Sequence, residues 1–295
     1  MWAIEDWRHQ PRAGARNRAT TLPYAPIKYF GKWPFRRVLG AQEPASVLFS
    51  LLNLAAQLWW GAWYRRRARR GAEAPSRGRF LTQRQVLAQC ALSCNAWLWS
   101  AVFHTRDTPF TERADYFAAG LLVVASSYVC LARVFRLSPR VRAGLLTLLL
   151  GEYARRVRSM LLLRFDYGRW VAACVAAGGL QTLCWSWWLG WGRRAEGVEG
   201  VEREEGTEGA LGAEIASQAA SATAAGTRRL ALFVVLLNAA SAFEIADFPP
   251  LAAALDAHAA WHLATVPLWG LWYRFAWADH ASCRSAAQTG QLKQS

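Results

Sequence analysis

Ser100 and His104 stand four residues apart at the end of an apolar run, and Asp115 follows at the start of the next. On a helix that spacing puts the serine and the histidine on one face. A second i, i+4 pair, His258 and His262 in DAHAAWH, opens the last apolar run, so three of the five histidines lie at the ends of membrane-length segments. Three histidines with an exchangeable fourth position are the ligand set of a catalytic zinc centre, because neutral imidazoles leave the ion enough positive charge to acidify a bound water to near neutrality. His258 and His262 would supply two ligands from one rigid turn and His104 the third. Asp115 is suited to take a proton from that water or to orient it. Ser100 is suited to donate to a developing oxyanion or to support the metal shell. The zincin HExxH pattern is absent, since Ala259 follows His258, and the base must come from elsewhere. Taken singly each piece has a plainer reading: an HxxxH pair at a helix end is commonly interfacial or core, and a serine on a membrane helix commonly bonds its own backbone.

The elements that must position these residues are apolar runs of about 20 residues, the length a bilayer span needs. In 295 residues, 54% hydrophobic with 17 Trp, the apolar residues bunch into such runs rather than spreading as in one large soluble domain. The expected fold is all-α, a polytopic bundle of seven transmembrane helices. The expected spans are Ala45 to Tyr64, Val86 to His104, Asp115 to Phe135, Val141 to Leu163, Tyr167 to Trp191, Leu230 to Ile245 and Ala257 to Trp277. In the fourth, Glu152, Arg155, Arg156 and Arg158 must pair and face the bundle, or else its second half is interfacial, because a charge at mid-membrane costs roughly 3 kcal/mol or more. Around this membrane domain of residues 45–277 lie an N-terminal segment, 1–44, and a C-terminal tail, 278–295. Residues 1–25 are basic and show no cleavable signal peptide. The stretch from Pro26, broken into turns by Gly31, Pro34, Gly40 and Pro44, reads as an interfacial hook with Trp33 and Phe35 at headgroup depth. Residues 192–227 read as a solvated linker whose acidic, Gly-rich first half gives way to an Ala/Ser-rich stretch of loose helical character.

The net charge of +15 suggests nucleic acid at first, but the basic residues form short clusters between apolar runs and no single basic face, so they are topology signals. Arginines crowd the connections after the first, third and fifth spans, whereas the connection after the sixth, DFPPLAAALD, has no Lys or Arg. The positive-inside rule then places odd-numbered connections in the cytosol and the N-terminus in the lumen, against the pull of the basic N-terminal segment. Helix alternation alone brings the end of the second span and the starts of the third and seventh to one side of the membrane. His104, Asp115, His258 and His262 therefore share a leaflet, the lumenal one. Five of the six cysteines fall inside apolar runs and Cys283 lies in the tail, so neither a disulfide framework nor a CxxC knuckle is present. Glu244 and Asp247 line the cavity or cap the sixth helix, with the structural role preferred, and Asp166 in RFDYG also reads as structural.

The blocks GKWPFRRVLGAQEPASVLFSLLN, WSAVFHTRDTPFTERADYF, LLRFDYG and EIADFPPLAAALDAHAAWH together resemble the post-GPI-attachment lipid-remodelling family, from about Tyr29 to Phe275. That family is placed in the CREST superfamily of seven-helix membrane hydrolases, with alkaline ceramidases and progestin and adipoQ receptors. The resemblance implies a metal, Zn2+, held by His104, His258 and His262, with Ser100 and Asp115 completing the motif. It also implies phospholipase A2-type removal of the sn-2 fatty acid from a protein-attached GPI anchor, in Golgi or endoplasmic reticulum membranes. The implied partners are GPI-anchored proteins and their lipid, within a bilayer and without nucleic acid. Two alternatives stand beside this: amide hydrolysis, as in the ceramidases, and a non-enzymatic receptor or lipid scaffold in which zinc is structural. The chain departs from the family pattern in lacking the usual signal peptide and cysteine-containing lumenal segment, and in its glutamate-rich linker.

Overall fold

The structure, a computed structural model, describes residues 28, 32–69, 80–192 and 210–292. Among these the chain is helical: α1 (Pro44–Arg69), α2 (Gln83–Thr105), α3 (Pro109–Val134), α4 (Pro139–Leu162), α5 (Tyr167–Trp187), α6 (Ala210–Ala246), α7 (Ala257–Thr265) and α8 (Leu268–Leu292), with a π-helical turn, Trp188–Gly192, closing α5. The described residues contain no strand, only the isolated bridges Val38–Ala41 and Leu251–Leu255. Among the described residues, four segments are long and apolar enough to cross a membrane: α1, α2, α3 and residues Thr223–Ala246 of α6.

Helix starts follow local chemistry. Thr82 and Thr108 each form a reciprocal capping pair with the residue three positions on, Gln85 and Thr111, and Asp166 and Asp256 accept from Arg169 and Ala259 backbone amides at the heads of α5 and α7. Pro109 and Pro139 occupy first turns, where a missing N–H costs nothing.

The packing of α1 is inverted relative to a soluble helix. Its buried stripe is Ser46, Ser50, Asn53, Gln57, Gly61, Tyr64 and Ala68, while Leu48, Leu51, Leu52, Leu58 and Trp59 face outward. Polar and small residues inside, with apolar ones outside, is the pattern of a helix whose surroundings are hydrocarbon. α1 packs on α2, α7 and α8; α2 continues to α3, which carries α4 and α5; α6 packs on α7 and α8, and α5 meets α6 only sparsely. At the end of the bundle away from the histidines, Tyr64, Trp185, Trp188, Trp272, Tyr273 and Phe275 belong to the main apolar core.

Three boundaries differ from those expected of the sequence. The span expected at 257–277 is broken after Thr265, because Pro267 has no N–H to continue the ladder and its ring clashes with the preceding turn. The Ala/Ser-rich part of the expected linker is regular helix, continuous from Ala210 with the apolar segment expected as a sixth span. The expected tail instead extends α8 to Leu292, and its Asp279 is buried against Arg133 of α3 at 2.8 Å. In α4, Glu152 bonds both Arg155 and Arg156 at 2.7 Å, but on an exposed face rather than toward the bundle. The basic residues of 1–27, Arg70, Arg77, Arg79 and the acidic run within 193–209 lie outside the described residues.

Candidate metal centre

His104, His258 and His262 come together at one end of the bundle, each offering a nitrogen within 4.8 Å of the others. α2 brings His104 at its last turn, and the three-residue link to α3 keeps Asp115 close by. α7 brings the other two from one face. His104 and His262 are buried, whereas the His258 side chain is 37% exposed.

Each ring is held from behind. His104 Nδ1 lies 2.6 Å from Glu43 Oε2, His258 Nδ1 2.6 Å from Glu244 Oε1, and His262 Nδ1 3.0 Å from Ser50 Oγ. A carboxylate accepts from Nδ1–H, so His104 and His258 present bare Nε2 lone pairs inward, a tautomer assigned from these partners. The two Nε2 atoms are 3.3 Å apart. Two lone pairs facing each other at that distance repel unless a cation lies between them or one nitrogen is protonated. A tetrahedral zinc with nitrogens at about 2.0–2.1 Å sets its ligand atoms about 3.3 Å apart. The three residues therefore fit a metal ion, and the acceptors behind them are the outer partners such ligands require.

Ser100 is buried with its hydroxyl 3.0 Å from Ser50 Oγ, so it reaches His262 through Ser50 rather than directly. Asp115 is not one of the converging ligands; it stands within electrostatic range of His104, His258 and Glu43. α7 is further tied to α1 by Asn53, whose Nδ2 donates to the His262 carbonyl at 2.8 Å while its Oδ1 accepts from Thr265 and Trp269. Trp97 lies edge-on to His262 with centroids 5.2 Å apart and helps exclude water from the deep side.

The spacing of the histidines in the sequence does not single out Glu43 or Ser50, and the structural role expected of Glu244 gives way in the structure to contact with His258. Glu43 reaches His104 because the segment before α1 runs across the end of α2, with the Gln42 and Glu43 amides donating to the Thr105 and His104 carbonyls. Burial alone would raise the Glu43 carboxyl, but the His104 and His258 imidazoles and Lys32 outweigh it and hold it below the usual carboxylate value. The same segment pairs Lys32 with Asp107 and Trp33 with Asp247, closing a strap over the site end. Asp247 thus serves this strap and Asp166 caps α5.

Comparison with known proteins supplies the kinship. The model of the Per1-like family matches residues 1–280. A relative from Mus musculus named GPI-specific phospholipase A2-like PGAP3 is 37% identical over 249 residues, covering 84% of this chain and 67% of its own. The protein of that name from Homo sapiens is 35% identical over the same shares, and Post-GPI attachment to proteins factor 3 from Drosophila melanogaster is 34% identical over 83% of this chain and 65% of its own. No solved structure matches the chain. The chain belongs to the Per1-like family.

Proposed function

We propose that this protein is a GPI-anchor lipid-remodelling hydrolase that removes the sn-2 acyl chain from protein-attached GPI by metal-dependent, phospholipase A2-type ester hydrolysis. The names of its relatives support the substrate class. The observation that carries the chemistry is the three imidazoles drawn together, each with a nitrogen within 4.8 Å of the others, and with Glu43, Glu244 and Ser50 behind them. His104, His258 and His262 would hold the ion through Nε2. Zinc bound there would supply a Lewis acid and an acidic water at neutral pH.

The remaining roles fall to the chain itself. Asp115, near the imidazoles but not among the ligands, takes a proton on its carboxylate from the attacking water, and that proton leaves with the glycerol oxygen as the ester opens. Glu43 and Glu244 fix the tautomers of His104 and His258. Ser100 holds Ser50, and through it His262. Trp97 and the strap over the site limit bulk water. We assign the helices to a seven-span bundle in which α7 and α8 form one interrupted crossing, residues 1–44 and the metal centre face the lumen, and the 192–227 connection faces the cytosol, in Golgi or endoplasmic reticulum membranes.

The test is restoration of GPI-anchor lipid composition in remodelling-deficient cells. Wild type restores it and His258→Ala does not. Purified Asp115→Ala keeps its metal and fold but loses at least about 100-fold in turnover. A preparation stripped of metal with undiminished activity would eliminate the scheme, and cleavage of ceramide in preference to GPI lipid would move it to the amide-hydrolase alternative.

A further inference from the structure

The three histidines are not equally accessible. His104 and His262 side chains are 3% and 2% exposed, whereas His258 is 37% and its partner Glu244 44% exposed. The centre is therefore most open on the His258 side, at the C-terminal end of α6, which carries Glu244 and lies within electrostatic reach of the head of α5. The group at that head is Tyr167, first residue of α5 and the tyrosine of the RFDYG block, to which the hydrolase reading assigns no part. Its ring packs on Tyr116 with centroids 4.9 Å apart, and Tyr116 in turn stacks on Phe165 and lies edge-on to Phe103 beside His104. Tyr167 is 51% exposed and stands within electrostatic reach of Glu244, Asp115 and Glu112.

We propose that Tyr167 is a substrate-positioning residue, its phenol O–H donating to a neutral ester carbonyl of the glycerolipid as the lipid enters between the ends of α5 and α6. Charges of both signs decide which oxygen it serves. Arg113, over the Phe165 ring at 5.4 Å, and Arg169, paired with Asp166, stand beside the head of α5 and offer guanidinium partners to the lipid's phosphodiester, whereas Glu244, Asp115 and Glu112 leave the phenol itself to an uncharged carbonyl. The ring, fixed against Tyr116, holds that donor in place at little entropic cost.

This inference rests on the hydrolase reading, and the experiment separates the two. Tyr167→Phe and His258→Ala are assayed beside wild type with a GPI-anchored protein purified from remodelling-deficient cells, presented in mixed micelles, with metal content measured on each. The expected result is a KM about five-fold higher for Tyr167→Phe with kcat and metal content unchanged, the cost of one neutral hydrogen bond made equally in ground and transition states. Unchanged constants, a fall in kcat alone, or loss of metal overturns the positioning role; the last would show that the phenol acts through Glu244. An inactive, metal-free wild type would sink the hydrolase reading itself. A second measurement needs no variant: phosphatidylinositol with a photoreactive sn-2 chain should label peptides containing Tyr167 and Phe243 in the wild-type protein. Label confined to Phe110 and Leu161, with none at Tyr167 or Phe243, overturns the proposed entry side.

Discussion

The two ends of this bundle both bury charged or ionisable groups, and they do so in opposite ways. At one end Arg133 Nε donates to Asp279 Oδ1 at 2.8 Å, the Leu81 amide donates to Asp279 Oδ2 at 2.8 Å, and the guanidinium lies over the faces of Phe80 and Trp188. Both side chains are under 5% exposed, and the charges answer each other. At the other end the carboxylates and hydroxyls stand behind the imidazoles, and the nitrogens left over point at one another. A buried polar cluster that satisfies itself holds helices together; one whose acceptors converge without a donor between them has the arrangement of a group that can hold a cation. The pairing of α3 with α8 also gives the far end a fixed frame, so that α2 and α7 need only be placed correctly at the near one.

That contrast can be broken in order of expected effect. Asp279→Ala leaves a guanidinium buried without its carboxylate, and should cost about 3–5 kcal/mol in unfolding free energy while metal content per folded molecule stays constant. Thermal unfolding in detergent combined with metal analysis checks both halves; a large loss of metal without loss of stability would reverse the roles assigned to the two ends. Glu244→Ala should do the opposite, weakening metal affinity about 10- to 100-fold with the melting temperature of the metal-free protein nearly unchanged, as measured by competition with a chelator. Glu152→Ala, which removes an exposed pair on α4, should change stability by no more than about 0.5 kcal/mol and leave the metal untouched. A larger effect there would mean that the outer face of α4 is covered in the working protein.

Much of this was legible from composition and spacing. The histidines were visible because an imidazole is rare in an apolar run, and the three that stand at the ends of such runs are the three that converge. The polar stripe Ser46, Ser50, Asn53, Gln57 was equally available, since its i, i+4, i+7, i+11 spacing inside an apolar run marks an inward face, and it points to Ser50. Glu43 was not: it stands in a turn before Pro44, and only the backbone crossing of the α1 lead-in over the end of α2 aims it at a residue 61 positions away. Glu244 was ambiguous because an acid near a helix end serves caps and sites alike. The break at Pro267 shows the same limit from another direction, since the seventh apolar run has the length of a span although the chain folds it as two pieces.

That break carries a mechanical consequence. In an unbroken helix the His262 carbonyl would receive the Val266 amide, but that amide turns to Leu263 at 3.2 Å, and the released carbonyl is taken by Asn53 and Thr265. The nine-residue α7 thereby trades a longitudinal tether for a lateral one. Since Pro267 has no amide to restore the ladder, α8 starts afresh at Leu268, and the turn that carries His258 and His262 takes its register from α1 rather than from the helix that follows it.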